Sequence, residues 1–514
     1  MPAARRHLAL KGCGMQAART TSTALAPSRA ERGLKLPLPG SAAVLACGAV
    51  LLVLHARNAL DSDEGVILNG AWNLLHGRAL YTDFFEFLAP GSFYLVLAAW
   101  KVFGSSFWVA KGLALAAIAV ATAGIDRIVR ELPAKHASAA GPALAIAPVL
   151  LFCFFTGYLP TINHNTLHLP FAVWGAFLAI RGVRRMSWRH CAAAGFLCGI
   201  GAWFLQHRSA LIAAATLCVL LLLAWRRRGP GWARCCAAYA VGAVGPVAVM
   251  TAFWDAGLLF EHLIAFPAAR YLEVNRIDPT LIACATSLAL GAAWLLRSEL
   301  DASACLLLAL LGALLLTAFQ RPDLSHVTSA LWPLLCLLPR VASTPARTPS
   351  ARLWRTWVAA GLAALPVPLL LTMAANPALY LNDWTRHPAL QYVRDHCPTA
   401  ASLYAGPFAP GLYFETGKLN PTRYSVLLPN FNSDAQFRDA LRDLQQSRPA
   451  CAITNYPMVA KFSHTRDNPV DAYLAANYEV VFEARHRQVW MARTEAAPAK
   501  PPVAATPAGP AAAP

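Results

Sequence analysis

The chain has 514 residues and a net charge of +18, from 44 Lys and Arg against 26 Asp and Glu. Hydrophobic residues make up 57% of it and charged residues only 14%, with a mean hydropathy of +0.44. Soluble domains carry about 25% charged residues, so a soluble enzyme is excluded in favour of an integral membrane protein. A nucleic-acid binder is excluded too. The cations sit in short clusters between apolar runs, as in cytoplasmic loops, and no zinc-finger, helix-turn-helix or aromatic RNA-binding signature accompanies them.

Residues 1–40 hold seven Lys and Arg against Glu31 alone and are rich in Ala, Ser and Thr. They read as a disordered basic tail that keeps the N-terminus in the cytoplasm. The apolar run 41–57 reads as the first membrane helix. Further spans are expected near 89–104, 107–126, 141–158, 165–181, 191–206, 209–225, 236–254, 280–297, 303–319, 327–340 and 356–373. With the C-terminus outside, the parity of crossings calls for an odd number, within a range of roughly 11–13 helices. The clusters Arg181/Arg184/Arg185/Arg189, Arg226/Arg227/Arg228/Arg234 and Arg347/Arg352/Arg355 mark the cytoplasmic side. They put Gln206-His207-Arg208, the amphipathic loop 255–279 and the turn Arg321-Pro322-Asp323 on the opposite face, with everything after residue 375.

Beyond that point the pattern changes. Polar helical stretches alternate with short β-branched and aromatic runs, such as QFRDALRDLQQS before ACAITNYP. This predicts a small external α/β domain over 376–495, large enough for its own core. The Pro/Ala tail 496–514 is expected to be disordered. The expected fold is therefore a mainly α polytopic membrane protein, with its membrane domain over 41–375 and a small C-terminal α/β domain. Eleven of the thirteen cysteines lie in the N-terminal tail or in apolar segments, where a thiol packs as a small hydrophobe. Cys397 and Cys451 each precede a predicted strand of the external domain. Adjacent parallel strands would bring them together as a disulfide in an oxidising compartment, and two free thiols fit the spacing equally well.

One stretch asks for chemistry. Residues 61–94, DSDEGVILNGAWNLLHGRALYTDFFEFLAPGSFY, gather Asp61, Asp63, Glu64, Asp83 and Glu86 beside an apolar run. Asp63-Glu64 opens an amphipathic helix, Gly77 ends it, and Pro90-Gly91 sets the entry of the next span. Any one of these acids alone reads as a solvated surface residue, but their grouping in the external loop 58–88 marks a site. On the same face, Arg78, His207, Arg208, Arg321 and His326 are candidate anion-binding groups. Arginines at helix ends also snorkel to lipid headgroups. His164 reads as a polar loop residue.

The order of Asp63-Glu64, amphipathic helix, Gly77-x-x-x-Tyr81-x-Asp83 and Pro90-Gly91-x-x-Tyr94 resembles the first external loop of the GT-C superfamily. These are multi-pass glycosyltransferases that use polyprenyl-phosphate sugars, among them protein O-mannosyltransferases and lipid A aminoarabinose transferases. Gln320-Arg321-Pro322-Asp323-Leu324-Ser325-His326 and the C-terminal YVRDHCPTAASLYAGPFAPGLYFETGK also resemble family segments. The resemblance implies a sugar transferred with inversion from a polyprenyl-phosphate donor to a lipid, glycan or protein acceptor on the external, periplasmic face of the inner membrane. It implies Asp63 as general base and Glu64 as its orienting partner or a metal ligand. Asp83 would hold acceptor or metal, and the cations would hold the leaving phosphate. A divalent metal is compatible with this set but not required by it. Where many relatives carry a phosphate-contacting Lys before the Pro pair, this chain has Leu88 and Ala89, so other cations must serve. A transporter or flippase of lipid-linked sugar is the competing reading. It requires paired broken helices in two repeats, which the sequence does not display.

Overall fold

The computed structural model describes residue 48 and residues 63–132, 147–153, 162–270, 278–375, 387–462 and 464–493. The two terminal tails, nearly all of the predicted first span and most of the predicted span 141–158 lie outside the described residues.

The membrane unit is built from helices whose boundaries follow the apolar runs. The amphipathic α1 (Asp63–Leu75) leads into α2 (Gly91–Phe103), α3 (Phe107–Glu131), α4 (His164–Arg185), α5 (Trp188–Ala202), α6 (Gln206–Arg227) and α7 (Pro230–Phe253). After an interrupted helical segment over 256–270 come α8 (Pro279–Leu296), α9 (Ala302–Ala318), α10 (Leu324–Ala330), α11 (Trp332–Ser343) and α12 (Pro349–Ala364). Among the described residues α3, α4, α6, α7 and α8 are long and apolar enough to cross a bilayer, and α2 and α9 are shorter apolar helices. The predicted span 327–340 resolves into two pieces, because Leu331-Trp332-Pro333 breaks the run and α11 restarts with Pro333 in its first turn.

Local chemistry fixes the ends. Asn163 accepts from Thr166 N at 2.8 Å to cap α4, Asp301 accepts from Ala304 N to cap α9, and Asp323 accepts from His326 N to cap α10. Gly77 takes φ +80° just past α1, a conformation open to glycine without strain. Glycines also set the closest helix contact. α5 and α7 approach so nearly that a Cβ on Gly195 would sit 2.1 Å from the Tyr239 carbonyl oxygen, and one on Gly242 2.3 Å from that of Ala192.

The C-terminal domain carries a four-stranded mixed sheet in the order β1-β2-β4-β3, from β1 (Tyr404–Gly406), β2 (Cys451–Thr454), β3 (Tyr478–Ala484) and β4 (Arg487–Ala492). β1 and β2 are parallel, with Ala405 opposite Ile453, while β4 runs antiparallel to both of its neighbours. The β3–β4 hairpin turns on Arg485 and His486, both at positive φ, which matches the right-handed twist of the paired strands. Cys397 and Cys451 are joined in a disulfide across a sequence separation of 54. The domain is not a separate body hung from the membrane. Leu390, Val393, Leu412, Ile453 and Val489 belong to one buried cluster with Val66, Tyr81, Phe93 and Trp100 of the first loop and α2.

The disulfide closes a long loop, so its loss has a defined cost. Cys451→Ser should destabilise the C-terminal domain by about 2–5 kcal/mol, read as earlier proteolysis of residues 387–493 on heating, and peptide mapping without reductant should recover the 397–451 pair from the parent chain.

Candidate active site

Glu64 is fully buried. Its Oε1 lies 2.7 Å from Lys111 Nζ on α3 and accepts the Ile162 N–H at 3.1 Å. Burial pushes its carboxyl above the usual range, against the pull of Lys111 and of the Ile162 amide. The sequence reading missed Lys111, which looks like an ordinary interruption in an apolar helix; only the fold shows that α3 delivers it to the start of α1.

Ile162 leads directly into Asn163 and His164, the cap and first residue of α4. This places the Asp63-Glu64 end of α1 beside the N-terminus of α4. His207, at the N-terminus of α6, stands within electrostatic range of His164, Arg208 and His326. His168, one turn into α4, senses Arg208, His207 and His164, and donates or accepts a 2.9 Å hydrogen bond with Ser209 Oγ. Arg208 is 2% exposed and donates from Nη1 to Ser329 Oγ on α10. His207 remains exposed. The starts of α4 and α6 therefore bring His164, His168, His207 and Arg208 together with His326 of α10, and the Glu64–Ile162 hydrogen bond sets the start of α1 beside that of α4. Helix N-termini carry unsatisfied N–H groups and a partial positive charge, so this junction suits an anion.

Arg321 and His326 are organised by Asp323. Its Oδ1 accepts from His326 Nδ1 at 2.8 Å and its Oδ2 lies 3.2 Å from Arg321 Nε. Burial alone would raise the Asp323 carboxyl; hydrogen bonds from His326 and Ser325 outweigh it and hold the group well below the usual carboxylate range. A carboxylate on Nδ1 leaves Nε2 as the remaining ring nitrogen of His326.

Arg78 and Asp83 form a second group. Arg78 donates to Asn73 Oδ1 at 3.2 Å and to the Asn420 carbonyl at 2.9 Å, and Asp83 Oδ2 accepts the Ala79 N–H at 2.7 Å to close its own turn. Both sit where loop 76–90 is sewn to the C-terminal domain. There Trp72 Nε1 donates to the Lys418 carbonyl, Phe85 N to the Arg423 carbonyl, and Arg423 Nη2 to the Thr82 carbonyl at 2.6 Å. Glu86 is buried in this seam. Ser425 Oγ donates to its carboxylate at 3.1 Å, and His262 Nδ1 donates to its backbone carbonyl at 2.8 Å. Burial pushes the Glu86 carboxyl up to about 8. Among the described residues no three His, Cys, Asp or Glu side chains are grouped to hold a metal ion.

Solved structures share this architecture. ArnT from Cupriavidus metallidurans bound to undecaprenyl phosphate superposes with a TM-score of 0.54 at 13% identity, covering 89% of this chain and 99% of that one. Its apo form gives 0.54 at 14% identity over 87% and 97%. An oligosaccharyltransferase from Archaeoglobus fulgidus gives 0.47 at 12% identity over 86% and 72%. No protein-family model and no curated protein sequence matches the chain. The fold is that of the GT-C membrane glycosyltransferases, mainly helical with a small C-terminal α/β domain.

Removing one member of a buried ion pair strands the other charge. Lys111→Met should cost about 3–5 kcal/mol, seen as a lower thermal midpoint in detergent, and adding Glu64→Gln should restore more than half of the loss. Glu86 gives a pH test. The folded protein holds this proton from about pH 4.5 to about 8 while the unfolded chain has released it. Stability should therefore fall as pH rises through that window and level off above it; Glu86→Gln should flatten the profile of thermal midpoint against pH.

Proposed function

We propose that this protein is a membrane glycosyltransferase that moves a sugar from a polyprenyl-phosphate donor to an acceptor at the external face of the inner membrane, with inversion at C1. The observation that carries the reading is the hydrogen bond from Ile162 N to Glu64, which sets the start of α1 beside that of α4, where His164 stands within electrostatic range of His207, itself near Arg208 and His326. The GT-C fold supports it, and so does the neighbour bound to undecaprenyl phosphate. The disulfide supports an oxidising, extracytoplasmic compartment for the C-terminal domain.

The chemistry needs each part. The prenyl chain stays in the bilayer, so the scissile C1–O bond lies at headgroup depth. Asp63 removes the proton from the acceptor hydroxyl or amine as that group attacks C1. The C1–O bond breaks and the polyprenyl phosphate departs with the electron pair, needing no proton. Arg208, the helix N-termini of α4 and α6, His207 and the Asp323-oriented His326 stabilise the charge that grows on the phosphate. Arg321 joins them through Asp323. Glu64, neutralised by Lys111, positions the backbone that carries Asp63. Arg78 and Asp83 serve by holding the C-terminal domain over the acceptor side.

Asp63→Asn, reconstituted with a polyprenyl-phosphate sugar, should lower turnover by about 10²–10⁴-fold and leave prenyl-phosphate binding within a few-fold of the parent. Arg208→Gln should weaken that binding. Full turnover by Asp63→Asn would defeat the assignment of the base.

A further inference from the structure

α4 and α6 both start at the junction and run 22 residues, about 33 Å, to Arg184-Arg185 and Arg226-Arg227. That is one bilayer thickness, so α5 and α7 begin near the opposite, arginine-rich surface. Some of the neighbouring arginines there have carboxylate partners. Arg181 and Arg184 take Glu131, and Arg340 takes Asp301 with two hydrogen bonds. Among the described residues no carboxylate pairs with Arg189 or Arg234, nor with Arg185, Arg226, Arg227 or Arg228; what sets the first two apart is a shared aromatic partner. Both lie instead against one indole, with the Arg234 guanidinium 4.6 Å and the Arg189 guanidinium 5.7 Å from the Trp188 ring centre.

Directly beside this pair a groove of about 650 Å³ runs between α5 and α7, lined by Trp188, Ala192, Phe196, Arg234, Ala238 and Val241. Its origin is the glycine-mediated contact of the two helices, which draws the backbones together and leaves a smooth trough of alanines outside them. Phe196 and Val241 are exposed on its rim, at 52% and 74%. Cations without carboxylates, an interfacial tryptophan and an apolar trough in line with them match one ligand chemistry: a phosphodiester headgroup with an acyl chain below it.

We propose that the Trp188–Arg189–Arg234 corner and the α5–α7 groove form a binding site for one anionic glycerophospholipid of the leaflet opposite the glycosyl-transfer junction. The two guanidiniums hold the phosphate and the acyl chain lies along Ala192, Phe196, Ala238 and Val241. The site is separate from that of the donor, which belongs to the other end of α4 and α6, and does not depend on the identity of the reaction. It anchors the tight α5–α7 pair to its leaflet.

The test uses the full chain in detergent, offered phosphatidylglycerol and phosphatidylcholine at equal mole fraction, with retained lipid counted by native mass spectrometry. Two arginines near a headgroup predict retention of phosphatidylglycerol roughly thirtyfold above phosphatidylcholine. Arg189→Gln with Arg234→Gln should reduce this preference to about twofold or less. Val241→Trp, which fills the groove and keeps both arginines, should displace the lipid as well. Arg297→Gln, at the end of α8 and outside the groove, should change nothing. An unselective parent chain, or a double variant that keeps the parent's preference, overturns the proposal. So does a lipid-free dimer whose contact Val241→Trp disrupts, since a second copy would then occupy the face.

Discussion

A carboxylate and an ammonium are withdrawn from water together where α1 meets α3, and the arrangement around them follows from that. Glu64 and Lys111 are each almost wholly buried and 2.7 Å apart. Neither charge is tolerable there alone, because desolvation of an unpaired ion costs several kcal/mol. The pair therefore specifies which helices must meet. Its third member, the Ile162 amide, brings in the segment that starts α4. Once α1 and α4 begin at the same place, the acidic helix start adjoins His164, and through His164 the group of His207, Arg208 and His326. The pair acts more as a locator than as a source of net stability, since an apolar substitute of the same volume would pack as well.

The second constraint is the seam between loop 76–90 and the C-terminal domain. Loop 76–90 contains little regular structure and supplies few internal backbone hydrogen bonds. Its polar groups are satisfied by residues 418–425, through Arg78, Phe85 and Glu86 on one side and Asn420, Arg423 and Ser425 on the other. Aromatic rings fill the space between, with Phe85 meeting His262, Phe266 and Tyr424. The loop beside the junction is thus held by a domain more than three hundred residues away in sequence. In the proposed reaction this rigidity matters, because proton abstraction and leaving-group stabilisation both depend on groups set in place before the substrate arrives.

The apolar runs, the arginine clusters between them and the compositional change after residue 375 already dictate a polytopic helical body with a small α/β domain. These are properties of single segments: a run long enough to cross hydrocarbon has few other fates, and a helix followed by a β-branched run packs in few ways. Local signals of the same kind place the end of α1 at Gly77, the start of α2 at Pro90-Gly91 and the strands at ASLYAGPF, ACAITNYP and QVWMAR. Asp63-Glu64, Arg208 and His326 were legible as candidates because charge inside or beside apolar sequence is costly and so carries information. Lys111 was not legible as a partner, since nothing near residue 111 points to residue 64. Glu86 read as a surface acid because its burial comes from Ser425 and His262, both distant in the chain. Arg78 looked like a member of the anion-binding group and Asp83 like a holder of acceptor or metal; only the folded loop shows Arg78 bonded to the Asn420 carbonyl and Asp83 closing its own turn. Residue type and local period thus decided the segments, whereas pairing of charges, depth of burial and the meeting of helix starts came from tertiary structure, because those quantities depend on which distant surfaces exclude water from one another.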